Sequence, residues 1–170
     1  MVSAWEVAAA TPDPELPMVT VADLGILRDV SVEGDHVTAT ITPTYSGCPA
    51  MREITAELRH RLLTAGYPLV EIRTRLAPAW TSDWITAEGR RKLSEAGIAT
   101  PQAGATPQAG ATPQERRTTT LTLLPARPAV VCPLCGSSRT ACTAEFSGTA
   151  CKALYRCEDC LEPFEYVKEH

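Results

Sequence analysis

Between residues 49 and 66 the apolar positions Met51, Ile54, Leu58 and Leu62 fall at intervals of three and four, the spacing of a single stripe along a helix. Pro49 suits the first helical position and Gly66 the position just past the end, so the helix is expected over Pro49 to Ala65. Ahead of it the pattern shortens. Ile26 to Val32 and His36 to Thr42 are rich in β-branched residues, and Glu33-Gly34-Asp35 between them supplies a tight turn, so the two runs predict a hairpin. Pro68 to Leu76, with Val70 and Ile72 two apart, predicts a third strand. Ser3 can cap a short helix that reaches Ala10 and stops before Pro12 and Pro14, and a further helix is expected from Thr86 to Ala96, before Gly97. The order helix, strand, strand, helix, strand, helix implies an α/β fold, a small sandwich with helices on one face of a three-stranded mixed sheet.

Periodicity then fails. Thr100 to Gln114 is a near-perfect tandem of a six-residue unit of Pro, Gln, Ala, Gly and Thr, a composition with nothing to pack. It divides the chain into an α/β module over residues 1–99, a linker over 100–117 and a C-terminal β module over 118–170. Thr118 to Leu124 is β-rich, and its pattern fits equally an added strand of the first sheet or the opening of the C-terminal module. In total 170 residues, 44% apolar and 21% charged, suit one ordinary domain with a small satellite. A formal net charge of −4 argues against a phosphate-backbone partner, so no nucleic acid is expected. No apolar run approaches the ~18 residues of a membrane span.

The C-terminal module is defined by its cysteines. Cys132 and Cys135 form one C-x2-C knuckle, Cys157 and Cys160 another, and the 21 residues between leave room for a short hairpin that brings the pairs together. This is the spacing of a zinc-ribbon-like site. Two disulfides are the competing reading, but they belong to secreted chains, and the N-terminus shows no basic segment followed by an apolar one. Thiolates accept iron as readily as zinc, so structural zinc and a rubredoxin-like iron both remain open. With all four positions filled by sulfur, the ion should be structural. A segment of roughly 40 residues buries too little apolar surface to fold alone, so the metal supplies much of its folding free energy. Cys48 and Cys142, outside the pairs, fit a reducing cytoplasm.

Three further places carry chemistry. In Thr42-Pro43-Thr44-Tyr45-Ser46-Gly47-Cys48-Pro49 a strand gives way to a helix, setting Cys48 at the helix N-terminus, where the macrodipole and free N–H groups favour thiolate. A small buried core cysteine explains the same residue equally well. Asp23 stands in a loop ahead of the first strand, as candidate ligand or ordinary turn cap. Trp80 and Trp84 flank a loop and suit either core anchors or a partner surface. His36, His60 and His170 have no spacing that suggests a site. Cys151 lies six residues before Cys157, near enough in sequence to pack beside the ribbon metal or replace a ligand.

Several of these segments together resemble a known family. Asp13-Pro14-Glu15-Leu16-Pro17, Val21-Ala22-Asp23-Leu24-Gly25-Ile26 and the run ending in Cys48-Pro49 are similar to iron–sulfur assembly factors of the SufT type. Pro78 to Thr86, with the tail Cys151 to Cys157 and Glu162-Pro163-Phe164, narrows the resemblance to the PaaD (PaaJ) family, small subunits encoded with a phenylacetyl-CoA epoxidase. The resemblance implies a cytoplasmic, non-catalytic accessory subunit in phenylacetate catabolism, partnered with the di-iron oxygenase or its flavin and iron–sulfur reductase. It further implies that Cys48 and Asp23 handle iron or a cluster in transit during maturation or repair of those centres. A stable interaction subunit, docked through the ribbon and the Trp80–Trp84 loop, is the alternative. An independent thiol enzyme lacks a histidine base beside Cys48 in the sequence.

Overall fold

The computed structural model describes residues 2–45, 47–101 and 130–168. The repeat and the Thr118–Leu124 run lie almost wholly outside them.

Helix α1 spans Ala4–Ala9, and Ser3 and Glu6 close a reciprocal capping box at its start. Strands β1 (Leu27–Glu33) and β2 (His36–Ile41) form the expected antiparallel hairpin, with Gly34 at φ +59° in the turn. Helix α2 (Ala50–Thr64) then crosses over, so β3 (Leu69–Thr74) pairs parallel to β2. The sheet order is β1-β2-β3, and β2 is the central strand. Its alternate residues Val37, Ala39 and Ile41 are wholly buried against Ile54, Leu58 and Leu62 of α2, so the apolar stripe meets the inward face of the sheet. The mixed sheet and its helices are those expected from the periodicity.

After β3 the chain makes a single 3-10 turn over Ser82–Trp84 and enters α3 (Ala87–Glu95), capped by the Thr86 hydroxyl, which accepts from the Gly89 N–H at 2.9 Å. A Cβ on Gly89 would lie 2.7 Å from the Asp23 carbonyl oxygen, and one on Gly25, at φ +67°, would lie 2.6 Å from Trp84. Both glycines permit α3 and its lead-in to press on the loop containing Asp23.

The C-terminal module holds β5 (Thr140–Ala144), β6 (Lys152–Cys157) and β7 (Pro163–Val167), paired antiparallel in succession. Strands β5 and β6 are the hairpin that the knuckle spacing requires. One strand departs from expectation. Immediately after Gly97, Ile98–Ala99 form β4 and pair parallel with β7, giving the order β4-β7-β6-β5. Two residues carry no readable period, so this strand is set by its tertiary partner and not by local pattern. It carries the chain of the first module into the sheet of the second. Ala99 packs in the small core of Tyr155, Phe164 and Tyr166, whereas Val167 of β7 packs into the large core with Ile98.

Candidate metal centre and thiol site

The two knuckles meet as their spacing demands. The four Sγ atoms of Cys132, Cys135, Cys157 and Cys160 lie within 4.8 Å of one another, with Cys132–Cys160 at 3.8 Å and Cys135–Cys157 at 3.5 Å. Metal–sulfur bonds of about 2.3 Å put the corners of a tetrahedron about 3.8 Å apart, so the sulfurs stand where a four-coordinate ion needs them. Each knuckle turns on a left-handed residue just past its second cysteine: Gly136 at φ +76° and Leu161 at φ +65°. The first is the usual choice; the second is a strained one. These turns aim backbone N–H groups at sulfur. The Cys160 and Asp159 N–H groups hold the Cys157 thiol down to about 6. The Glu162 N–H pulls Cys160 the same way, but burial and the three neighbouring cysteines push that thiol up to about 12. Four sulfurs this close cannot all ionise without a cation among them, which is the chemistry of a metal donor set. Arg139 and Ser137 both engage the Asp159 carboxylate, tying the knuckles together outside the cluster.

Cys48 occupies the expected turn into α2, whose cap is Pro49. It is half-buried against the large core. Burial pushes its thiol up, against the Ala50 N–H and the Thr44 hydroxyl that favour thiolate, and the Glu15 carboxylate pushes it further. The expected thiolate at a helix end is thus reversed by desolvation. Asp23 has different partners. Its Oδ2 accepts from the Thr20 N–H at 3.0 Å and from Lys92 Nζ at 2.8 Å, and the Thr20 hydroxyl accepts from the Asp23 N–H in return. Despite burial, which raises it, Lys92 and Thr20 hold the carboxyl below its usual range. This set of bonds fastens the 20–25 loop to α3.

The two tryptophans are also spoken for. Trp80 is buried and donates from Nε1 to the Leu24 carbonyl at 2.8 Å, and Trp84 carries the Arg28 guanidinium 3.5 Å from its ring centre. Trp80 thereby anchors the Asp23 loop, whereas Trp84 remains partly exposed. Cys142 lies on β5 with its sulfur 3.5 Å from the Ala144 carbonyl, packed against the small core.

Asp13 and Glu15 drew no individual role from sequence reasoning. Asp13 Oδ1 accepts from the Glu15 and Leu16 N–H groups at 2.9 and 2.8 Å, a turn that sets the direction of Glu15. Cys151 Sγ lies 3.8 Å from Glu15 Oε2. Cys151 is therefore beside the first module and not at the ribbon metal, six strand positions away. The acidic Asp13-Pro14-Glu15 turn was the available signal for Glu15; nothing local to Cys151 reveals its neighbour.

A family model described as the PaaD zinc beta ribbon domain matches residues 116–168, and one described as iron-sulfur cluster assembly protein matches residues 9–68. A protein of Escherichia coli (strain K12), named there as a putative 1,2-phenylacetyl-CoA epoxidase component, is 41% identical over 164 residues, covering 96% of this chain and 90% of that protein. The chain belongs to the PaaD family. A crystal structure of the domain of unknown function DUF59 from Bacillus anthracis is 24% identical, with a TM-score of 0.48, over 53% of this chain and 87% of that one. In this PaaD family member the assembly-protein match takes in Glu15, Asp23 and Cys48, and the ribbon match takes in Cys151 and the four-cysteine centre. Among the described residues no helix is long and apolar enough to cross a membrane.

Proposed function

We propose that this chain is a non-catalytic accessory subunit of a phenylacetyl-CoA epoxidase system, working in the cytoplasm. It assists maturation or repair of the iron or iron–sulfur centre of the oxygenase or the reductase, with Cys48 as transient ligand. What supports this reading is that the segment matching the assembly proteins takes in the half-buried Cys48 thiol, at the turn into α2, together with the carboxylates of Glu15 and Asp23. One sulfur and one carboxylate make a weak site, and a donor must release its ion to a tighter acceptor. Asp23 contributes by fixing its loop through Lys92 and Thr20.

In the same reading the four-cysteine centre holds zinc. Cys132, Cys135, Cys157 and Cys160 supply every coordination position, and the ion contributes folding free energy to the ribbon. The alternative is a stable non-catalytic interaction subunit docked through the ribbon and the Trp80–Trp84 loop without metal transfer; with Trp80 buried, Trp84 is the ring that such a surface could offer. The test is co-expression of the oxygenase and reductase with the Cys48→Ser variant, followed by iron analysis and turnover. Reduced iron loading is expected; full loading of every component would remove the reading.

A further inference from the structure

We propose that the outer edge of β3 pairs antiparallel with β3 of a second copy of this chain, joining the two three-stranded sheets into one about a two-fold axis at Ile72. The interface goes beyond the maturation reading and does not rest on it. Edge strands invite pairing, and folds usually guard them with bulges, shortness or cover. Strands β1 and β5 are guarded in this way: the register of β1 slips between Leu27 and Asp29, and that of β5 between Cys142 and Ala144. Strand β4 has only two residues. Strand β3 is neither bulged nor so short. It runs in unbroken parallel register with β2, from Leu69 opposite His36 to Thr74 opposite Ile41, and among the described residues no strand lies on its other side.

Hydrogen bonding fixes which groups of β3 are open. The Leu69 N–H donates to the Asp35 carbonyl and the Arg75 N–H to the Ile41 carbonyl, so the alternate residues Leu69, Glu71, Arg73 and Arg75 turn their backbone toward β2. Val70, Ile72 and Thr74 therefore direct N–H and C=O outward, where another strand can meet them. Arg59 Nη1 donates to the Val70 carbonyl at 3.1 Å, and the second lone pair of that oxygen stays available.

Charge selects both the partner and the register. Outward backbone groups must face outward backbone groups, so β3 paired with its own copy has one of its residues on the axis. An axis at Glu71 sets that carboxylate against its own copy, and an axis at Arg73 does the same with two guanidinium groups. An axis at Ile72 instead sets Glu71 against Arg73 of the second copy, twice. These side chains lie on the sheet face away from α2, in register with Thr38 and Thr40 between the buried Val37, Ala39 and Ile41. Glu71 and Arg73 already pair at 2.8 Å within one chain, yet their side chains stay 43% and 61% exposed, which leaves room for a second opposite charge. Leu69, 58% exposed, falls opposite Arg75 of the second copy, whose methylene stem can cover it. On the α2 side, Leu63 is 46% exposed and lies one turn beyond Arg59, the residue that reaches the edge, so it faces the same boundary.

The test uses the full chain with its ribbon metal loaded, in sedimentation equilibrium from low micromolar to hundreds of micromolar protein. A monomer–dimer equilibrium is expected. Thr74→Pro removes an outward N–H while the bonds to β2 remain, and by symmetry it deletes two bonds between the copies, so association should weaken at least about tenfold. Glu71→Arg and Arg73→Glu should each weaken association about tenfold, because two symmetry-related pairs change from opposite to like charge. Mixing these two variants restores opposite charges across the axis, so the mixture should associate as tightly as the wild type although neither variant does alone. A folding defect within one chain cannot be rescued in this way. Retained ribbon metal and amide protection of β2 show that each variant has folded; if Thr74→Pro loses them, the mixed charge reversals decide alone. Amide exchange gives a second reading, since protection of the Ile72 N–H should rise with protein concentration. Protection independent of concentration would place another part of the same chain on the edge and overturn the proposal. A monomer at every concentration would overturn it too, as would a dimer that tolerates both charge reversals unmixed.

Discussion

The two modules are held together by different physics. In the first, Val37, Ala39 and Ile41 of β2 meet Ile54, Leu58 and Leu62 of α2 in a core of fully buried aliphatic side chains. The ribbon has only a small cluster around Tyr155, Phe164 and Tyr166, and two of its buried residues, Cys132 and Cys157, are candidate ligands. Hydrophobic burial can account for the first fold, whereas the second is expected to depend on an ion. Each module is thus vulnerable in its own way: one to cavities, the other to chelation.

The most severe challenge to this contrast is removal of the ribbon metal. Structural zinc contributes about 10–16 kcal/mol in small zinc domains. A strong chelator, or Cys157→Ser, should therefore unfold β5 to β7 while β1 to β3 keep their protection, as read by amide hydrogen exchange. Protection persisting across β6 after verified metal loss would refute the dependence. Next, Leu58→Ala should cost about 2–5 kcal/mol in denaturant unfolding of the first module, with the ribbon metal content unchanged. Loss of ribbon metal in that variant would show that the modules do not fail separately.

Smaller again is Asp23→Asn, which leaves Lys92 and the Thr20 N–H poorly matched and should destabilise the first module by about 1–3 kcal/mol. The wild-type contribution has a definite pH sign. Because the folded Asp23 carboxyl lies below its unfolded value, the stabilisation is complete above the unfolded pKa, about 3.9, and is lost as pH falls through the folded one. A stability profile of Asp23→Asn that parallels the wild type through this acid range would contradict the assignment. Smallest is Leu161→Gly. Relief of a left-handed leucine, about 1–2 kcal/mol, exceeds the glycine entropy penalty of roughly 0.5–1 kcal/mol, so thermal unfolding of the metal-loaded ribbon should shift slightly upward. A downward shift would indicate that the exposed Leu161 side chain makes a contact worth more than its strain.

Much of this was legible because local and tertiary demands agree. The stripe Met51, Ile54, Leu58, Leu62 could be read because α2 buries one face, and a helix between β2 and β3 already implied their parallel pairing. The two C-x2-C pairs were legible because spacing along the chain is what geometry at the ion requires. What escaped depends on contacts between distant segments. Strand β4 is too short to have a period. Cys151 looked like a ribbon residue by proximity in sequence, but an extended strand carries it away from the knuckles and toward Glu15. The expected thiolate at Cys48 failed because a helix end is one local influence, and burial by the surrounding core outweighs it.

Strand β4 has one more consequence. Since Ile98 and Ala99 register directly with Glu165 and Tyr166, the mutual placement of the halves is settled by pairing that lies before the repetitive stretch begins. Adding or removing a copy of the six-residue unit is therefore expected to leave that register in place, because the entropic cost of closing a flexible segment grows only with the logarithm of its length.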